Sequence, residues 1–355
     1  MVVEKRRYKK MEVDGKMKGL VVTSDKKIEL VSDIPMPEIG AYEALVKMEC
    51  CMICNGTDME IIRGELPEAP NFPLMLGHES AGRVVAVGDK VTTYKIGDRV
   101  IRASLLDNEK YYSAWGGFAE YGVVIDTRAM RRDGLENKSG LTQQVVSERI
   151  TPEQASLMIT LKETCSAIKR IGIRNEEVVL IVGDGPVGLC FLSNLKLLGI
   201  ENVAMLGNRK GSLEVAERLG AIDVFWNKDA MEKARLKETY GGRVTIYLDT
   251  IGSTDTIGQG MDFVAADGKI VVYGLGTGSN LQLDLKDMRN FSLQFVQWPI
   301  EECEMLTHDV ISEGILSGKI KTDELITHRL PIEEYEAGFA AIQEKRALKV
   351  ALMFE

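Results

Sequence analysis

The feature that most constrains this chain is an apolar run, Glu177 to Val182, that ends in Gly183-Asp184-Gly185-Pro186-Val187-Gly188 and leads into a second apolar stretch, Leu189 to Leu198. A short continuous apolar run is the mark of a strand buried on both faces of a parallel sheet. Glycines at this spacing between a strand and a helix allow a tight turn (Gly183), approach of backbone to a pyrophosphate (Gly185) and close helix–strand packing (Gly188). Pro186 and Val187 complete the turn where a phosphate would meet the helix N-terminus. The alternation then continues. Val203 to Gly207 reads as a strand, Gly211 to Leu219 as a helix stopped by Gly220, and Val244 to Asp249 and Lys269 to Gly274 as further strands. Strand and helix at this spacing make βαβ units, so the expected class is α/β with a doubly wound parallel sheet.

In such a sheet an acidic residue about 20 positions past the last glycine selects NAD by binding the ribose 2′-hydroxyl. Counting from Gly188 reaches Asn208, within Gly207-Asn208-Arg209-Lys210, where no carboxylate stands. A 2′-phosphate needs cations, and Arg209 with its planar fork, Lys210 and the neutral donor Asn208 suit it. The sequence therefore points to NADP, with NAD possible.

The first part of the chain has a different character. Met17 to Leu30 alternates like a strand pair with a turn at Ser24-Asp25-Lys26-Lys27, and Glu43 to Glu49 is a further strand. Pro67 to Pro73 is a loop, and Ser80 to Val100 reads as short strands with glycine turns in a small, barrel-like β region. Thr151-Pro152 opens a helix with a threonine cap and proline in the first position. The last strand is Leu348 to Phe354.

Within the β region, Gly77-His78-Glu79-Ser80-Ala81-Gly82 places an imidazole beside a carboxylate in a chain with only 3 His. Upstream lie Cys51 and Cys54. One thiolate, one imidazole and a carboxylate form an N/S/O set suited to zinc with a position left open for substrate.

The full run Gly-His-Glu-x-x-Gly-x-Val-x-x-Val-Gly from Gly77, followed by Gly97-Asp98-Arg99-Val100, resembles the zinc-binding segment of the medium-chain dehydrogenase/reductase family, the zinc alcohol, polyol and sugar dehydrogenases. The resemblance extends from about Met17 to Glu355, through Gly116-Gly117-Phe118-Ala119-Glu120-Tyr121, Ile150 to Ser156 and Ile326 to Pro331. It implies a Rossmann domain over 161–299 and a β-rich GroES-like catalytic domain made of 1–160 and 300–355. It also implies roles. Cys54 matches the family's zinc-binding cysteine, His78 the histidine ligand, and Glu79 a direct or exchangeable ligand. Thr57 matches the hydroxyl that takes the alcohol proton, although one extra residue, Asn55 or Gly56, separates it from Cys54. Glu60 stands where alcohol-specific members carry a relay histidine, and Thr-Asp-x-Glu resembles the sugar branch, glucose dehydrogenases in particular. Asp58 and Lys349 resemble a carboxylate and a basic residue paired near the pyrophosphate. Met158 and Ile159 occupy a place where some members have a further ligand, and Ile101 to Trp115 lacks the four cysteines of a second, structural zinc. One zinc per chain is expected, with a small sugar or polyol as substrate and a homodimer or homotetramer as assembly. Rival readings are a zinc-free quinone or enoyl reductase of the same superfamily and a non-catalytic nucleotide-binding relative.

Composition narrows the setting. The chain has 355 residues, room for two domains. A net charge of -9 gives no reason to expect nucleic acid or an anionic membrane as partner. No apolar run approaches the roughly 18 residues that span a bilayer. The lysine-rich start, Met1 to Lys18, lacks the apolar segment of a secretory signal and reads as a solvated arm. Six cysteines, three of them clustered at 50, 51 and 54, make no disulfide framework and suit a reducing cytoplasm.

Overall fold

The computed structural model describes residues 15–65, 71–138, 140–276, 280–282 and 290–355. Most of the expected N-terminal arm, and of the loop at Pro67 to Pro73, lies outside the described residues.

The middle of the chain folds into a six-stranded sheet. In chain order its strands are Val179–Val182, Val203–Gly207, Asp223–Trp226, Val244–Asp249, Val264–Val272 and Phe291–Phe295. Their spatial order is 3-2-1-4-5-6 and every pairing is parallel. This is the doubly wound Rossmann order. The chain reverses direction of winding beside Val179–Val182, which has Val203–Gly207 on one side and Val244–Asp249 on the other. A crevice opens at the strand C-termini at such a switch point.

The second body is a seven-stranded, mostly antiparallel sheet built from both ends of the chain. The strand Glu43–Ile53 lies at its centre, flanked by Glu79–Val87 and by the C-terminal strand Lys349–Met353. It runs four residues beyond Glu49, the end expected from sequence. The apolar Cys50–Ile53 segment is paired on both sides, so its backbone groups are satisfied in the interior. A smaller four-stranded sheet holds Lys16–Val22 and Ile28–Pro35, the expected strand pair.

One helix joins the two bodies. Pro152–Ile171 is capped by Thr151, whose hydroxyl accepts from Gln154 N–H while the Gln154 side chain accepts from Thr151 N–H, a complete capping box. It ends at Gly172 in the left-handed conformation. Residue 160, the expected domain limit, falls inside this helix. Its apolar residues share one core with Cys50, Met52 and Ala81 of the antiparallel sheet, with Ile181 and Met205 of the parallel one, and with Leu189 of the helix that follows the glycine turn. That shared core fixes the cleft between the sheets.

Candidate active site and metal centre

Three strands deliver the cleft residues side by side. Met52 pairs with Glu79, and Ile53 pairs with Val350. Cys54, His78 and Lys349, each just past a strand end or at one, are thereby brought to the same edge. Gly77 makes the turn into His78 at φ 100°, and a Cβ there would stand 2.6 Å from Phe118 N. Glycine is what permits this approach. The backbone of Gly117 donates to the Gly77 carbonyl at 2.8 Å, which ties the Gly116-Gly117 segment to the site. Ser156 of the joining helix accepts from Met52 N–H at 3.1 Å and donates to the Glu79 carbonyl, locking the two strands to the helix.

Cys54 Sγ, a His78 ring nitrogen and a Glu79 carboxylate oxygen all lie within 4.8 Å of one another. Among the described residues no other group of three or more His, Cys, Asp or Glu is arranged for a metal. The electrostatics fit a cation. Burial pulls the His78 pKa down, but a hydrogen bond from the Cys54 side, then the charges of Cys54, Asp58 and Glu79, outweigh it and raise the imidazolium to about 9. His78 Nδ1 is buried without a hydrogen-bond partner. A thiol, an imidazole whose Nε2 lies 3.8 Å from Glu79 and a buried carboxylate, in surroundings that favour positive charge, have the donor set for zinc.

Thr57 begins the short helix Thr57–Arg63, and Gly56 precedes it as cap. The extra residue is taken up in the Asn55-Gly56 turn, and Thr57 and Glu60, both half-buried, line the cleft with Cys54 and His78. Burial raises the Glu60 carboxyl pKa. Asp58 points the other way. It is fully buried, accepts from Cys54 N–H at 2.8 Å, and sits 3.7 Å from His78 Nδ1. Burial lifts its pKa to about 6 against the pull of His78. Asp58 is thus a support for Cys54 and His78.

The expected Asp58–Lys349 pair is not formed. Lys349 Nζ contacts both Glu79 carboxylate oxygens at 2.6 Å, and both residues are 2% exposed. The register explains this: Lys349 heads the strand that flanks Glu43–Ile53 on one side, and Glu79 heads the strand that flanks it on the other. Lys349 is therefore held at the Cys54–His78–Glu79 cluster, in the cleft that Pro186 and Val187 also line. Met158 and Ile159 are buried in the core, with no ligand to offer.

At the opposite wall the glycine loop follows Val179–Val182 and leads into the helix Pro186–Leu197. A Cβ on Gly188 would stand 2.0 Å from the Gly183 carbonyl oxygen, so helix and strand touch here only through glycine. At Gly185 a Cβ would meet only Arg209 Nη2 at 3.9 Å, leaving the loop open to a ligand. Pro186, Val187, Thr250 and Ile251 line the same cleft as Cys54 and His78, which has a volume of about 380 Å³.

The residues expected to grip a 2′-phosphate are arranged differently from a free cationic patch. Asp184 Oδ2 accepts from Arg209 N–H at 2.7 Å and from Asn208 N–H at 3.2 Å, and Arg209 Nη2 donates to the Asp184 carbonyl at 2.5 Å. Arg209 is therefore pinned against the glycine loop. Lys210 Nζ lies 4.1 Å from the centre of the Trp226 ring, a cation–π contact. Asn208 accepts through its side-chain oxygen from Asn227 at 3.3 Å. Gly207 presents no side chain, and Asp184 fills that place. Counting along the chain could not find Asp184, because the carboxylate comes from the loop of the preceding strand.

Sequence reading also missed a charged cluster in the cleft. Arg102 Nη2 binds Glu163 at 2.6 Å and both oxygens of Glu304 at 3.1 Å. Glu163 stands on the joining helix, and Glu304 comes from the far end of the chain. Trp115 packs its ring 4.9 Å from that of His78 and also lines the cleft. The one local signal was the basic Arg102 straight after the apolar Val100-Ile101.

Comparison with known proteins agrees with this architecture. The family "Alcohol dehydrogenase GroES-like domain" matches residues 40–132, and "Zinc-binding dehydrogenase" matches residues 186–302. D-arabinitol dehydrogenase 1 of Uromyces fabae is 28% identical over 339 residues, covering 90% of this chain and 92% of its own. The solved structure of benzyl alcohol dehydrogenase from Acinetobacter calcoaceticus superposes with a TM-score of 0.80 at 21% identity, over 96% of this chain and 99% of that one. A zinc-binding dehydrogenase from Sinorhizobium meliloti 1021, solved with NADP, has a TM-score of 0.77 at 21% identity, over 95% of this chain and 99% of that one. The glycine loop, the Cys-His-Glu cluster and these matches converge: the chain belongs to the zinc-type medium-chain dehydrogenases, alcohol dehydrogenases built from a GroES-like domain and a Rossmann domain that uses a nicotinamide cofactor.

Proposed function

We propose that this dehydrogenase transfers hydride between a secondary alcohol of a sugar, polyol or cyclitol and NADP, giving the ketone or lactone, with one zinc per chain. The observation that carries the reading is the meeting of Cys54, His78 and Glu79 within 4.8 Å in the cleft that the glycine-loop helix also lines. The polyol class is supported by the D-arabinitol dehydrogenase relative. Cys54 and His78 would hold the metal, with Glu79 close by. Zinc there supplies Lewis acidity toward an alcohol oxygen. The nicotinamide supplies the hydride acceptor.

The chain's own residues do the rest. The Thr57 hydroxyl takes the alcohol proton, and the half-buried Glu60 carboxylate receives it or a substrate hydroxyl. Asp58 fixes Cys54 through its backbone N–H, and Lys349 holds Glu79. Trp115, beside His78, forms an apolar wall that keeps water from the reacting carbon. The NADP preference rests on Arg209, which Asp184 orients onto the glycine loop, and on Lys210. The division of labour is a catalytic unit of 1–160 plus 300–355 and a nucleotide unit of 161–299. A cytoplasmic setting is in keeping with six free cysteines, and a homodimer or homotetramer with Phe291–Phe295 being the last strand of its sheet among the described residues.

The test is metal analysis of the purified protein, joined to a polyol and sugar panel assayed with NAD and NADP in parallel. Near-unit zinc and turnover of a polyol are expected, and Cys54→Ser should lose most of both. Full activity without zinc would move the chain to the zinc-free reductases, and no turnover with bound nucleotide would leave a binding protein.

A further inference from the structure

The cleft contains polar groups that neither the metal cluster nor the nucleotide loop uses. Arg102 is one of the five described non-glycine residues with positive φ, at 60°. That conformation is sparsely populated and is kept where surroundings demand it. Its backbone N–H donates to the Ser80 carbonyl at 2.8 Å and its carbonyl accepts from Gln143 at 2.9 Å. These bonds aim the side chain into the cleft. There Nη2 is taken by Glu163 and Glu304, while Nε is buried with no partner. Thr160, 3% exposed on the joining helix, lines the same cleft, and its hydroxyl is also buried with no partner. Two orphaned buried donors in one cleft, from different elements, mark places where a ligand completes the hydrogen bonding.

The charges say what kind of ligand. Behind Arg102, the fully buried Lys162 stands 3.7 Å from Glu304, so two cations face two carboxylates. Burial lowers the Lys162 pKa to about 8, which leaves it mostly charged at neutral pH. Glu301 adds a carboxyl at the rim. An anionic group such as a phosphate would meet three carboxyls. An ammonium would meet Arg102 and Lys162. A hydroxyl, which donates to a carboxylate and accepts from a guanidinium, matches the alternating array. Across the cleft, Trp115 and Trp298 are 40% and 48% exposed, flat apolar faces for the C–H side of a polyol.

We infer that Arg102, Glu163 and Thr160 form a hydroxyl-reading subsite, so that the substrate is a neutral polyhydroxy chain or ring whose hydroxyls away from the reacting carbon are recognised there. This rests on the proposed function and assigns its specificity.

The experiment compares xylitol with 2,3-butanediol, which has only the adjacent hydroxyl besides the reacting one, in the zinc-loaded wild type, Thr160→Val and Glu163→Gln. Thr160→Val keeps the side-chain shape and breaks no bond to the ligand-free fold's cluster, and Glu163→Gln keeps volume. Circular dichroism and melting temperature establish that each is folded. The wild type should favour xylitol. Each variant should lower the ratio of kcat/KM for xylitol over butanediol by about tenfold, the usual effect of one lost hydrogen bond to a charged partner or a buried group left unpaired. The fall should come mainly from KM for xylitol. Unchanged ratios in both variants, a wild type that favours butanediol, or a clear preference for sorbitol 6-phosphate or glucosamine would overturn the inference. Xylitol binding by calorimetry reads the subsite without turnover: if neither alcohol reacts, the proposed function falls, while weaker xylitol binding in Thr160→Val still upholds the subsite and equal binding refutes it.

Discussion

The Glu79–Lys349 pair offers the sharpest energetic test of the site. Both side chains are 2% exposed, and Nζ lies 2.6 Å from each carboxylate oxygen. In Lys349→Met the Glu79 carboxylate stays buried and loses the cation that contacts both of its oxygens, leaving only the His78 ring at 3.8 Å among the described residues. Removing one partner of a buried pair costs about 3–5 kcal/mol, mostly from the uncompensated charge left behind. Glu79→Gln leaves Lys349 buried and unpaired, with a cost of the same order. The double variant leaves neither charge, so the two costs should not add, and a coupling of at least ~2 kcal/mol is expected for groups in direct contact. Urea unfolding of the metal-stripped protein measures all four species, with the midpoint moving and the slope unchanged. Zinc gives the Glu79 carboxylate another cation, so loading zinc should shrink the deficit of Lys349→Met more than that of Glu79→Gln. Single variants that lose under about 1 kcal/mol, or costs that sum in the double, would refute the claim that this pair is a coupled support of the metal cluster.

Other outcomes are expected. Thr57→Val removes the relay hydroxyl and should slow turnover by roughly 10²-fold with zinc content unchanged; normal turnover would assign the relay to Glu60. Wild-type kcat/KM should be higher with NADP than with NAD, and Asn208→Asp with Arg209→Leu should reverse the order, by about ten- to hundredfold per charge-assisted contact. Steady-state kinetics with both cofactors decide, and a wild-type preference for NAD would defeat the reading. Stability should fall with acid through His308. Burial first, then the Lys162 charge, lowers its pKa to about 4. Its Nε2 bonds the Val145 carbonyl at 2.9 Å and Nδ1 is buried without a partner, so a second proton has no acceptor. The unfolded chain, with its ordinary value near 6.5, binds the proton first, so stability present above pH 6.5 is lost as pH falls from 6.5 toward 4. His308→Gln should flatten the unfolding midpoint in that window by up to about 3 kcal/mol, and an unchanged acid slope would exclude His308 as its source.

Much of this protein was legible in the chain by itself. The buried strand, the glycine turn and the helix after it are local patterns, and the backbone of residues 177–198 folds as those patterns require. The cap at Thr151-Pro152 and the strand over Val244–Asp249 likewise follow from neighbours along the sequence. Cys54, His78 and Glu79 could be singled out as candidates because a metal needs particular donor atoms and because the family resemblance prefers Cys54 to Cys51, and the structure brings the three within 4.8 Å. What only the tertiary structure decided is who faces whom. Lys349 pairs with Glu79 across 270 positions, and Arg102 with Glu304 across 202, because strand register and the joining helix bring distant segments together. Asp184 takes over the place beside Arg209 because the loop of one strand lies over the end of the next. Ion pairs depend on separation in space and on burial, and neither quantity is written in the spacing of residues along a chain.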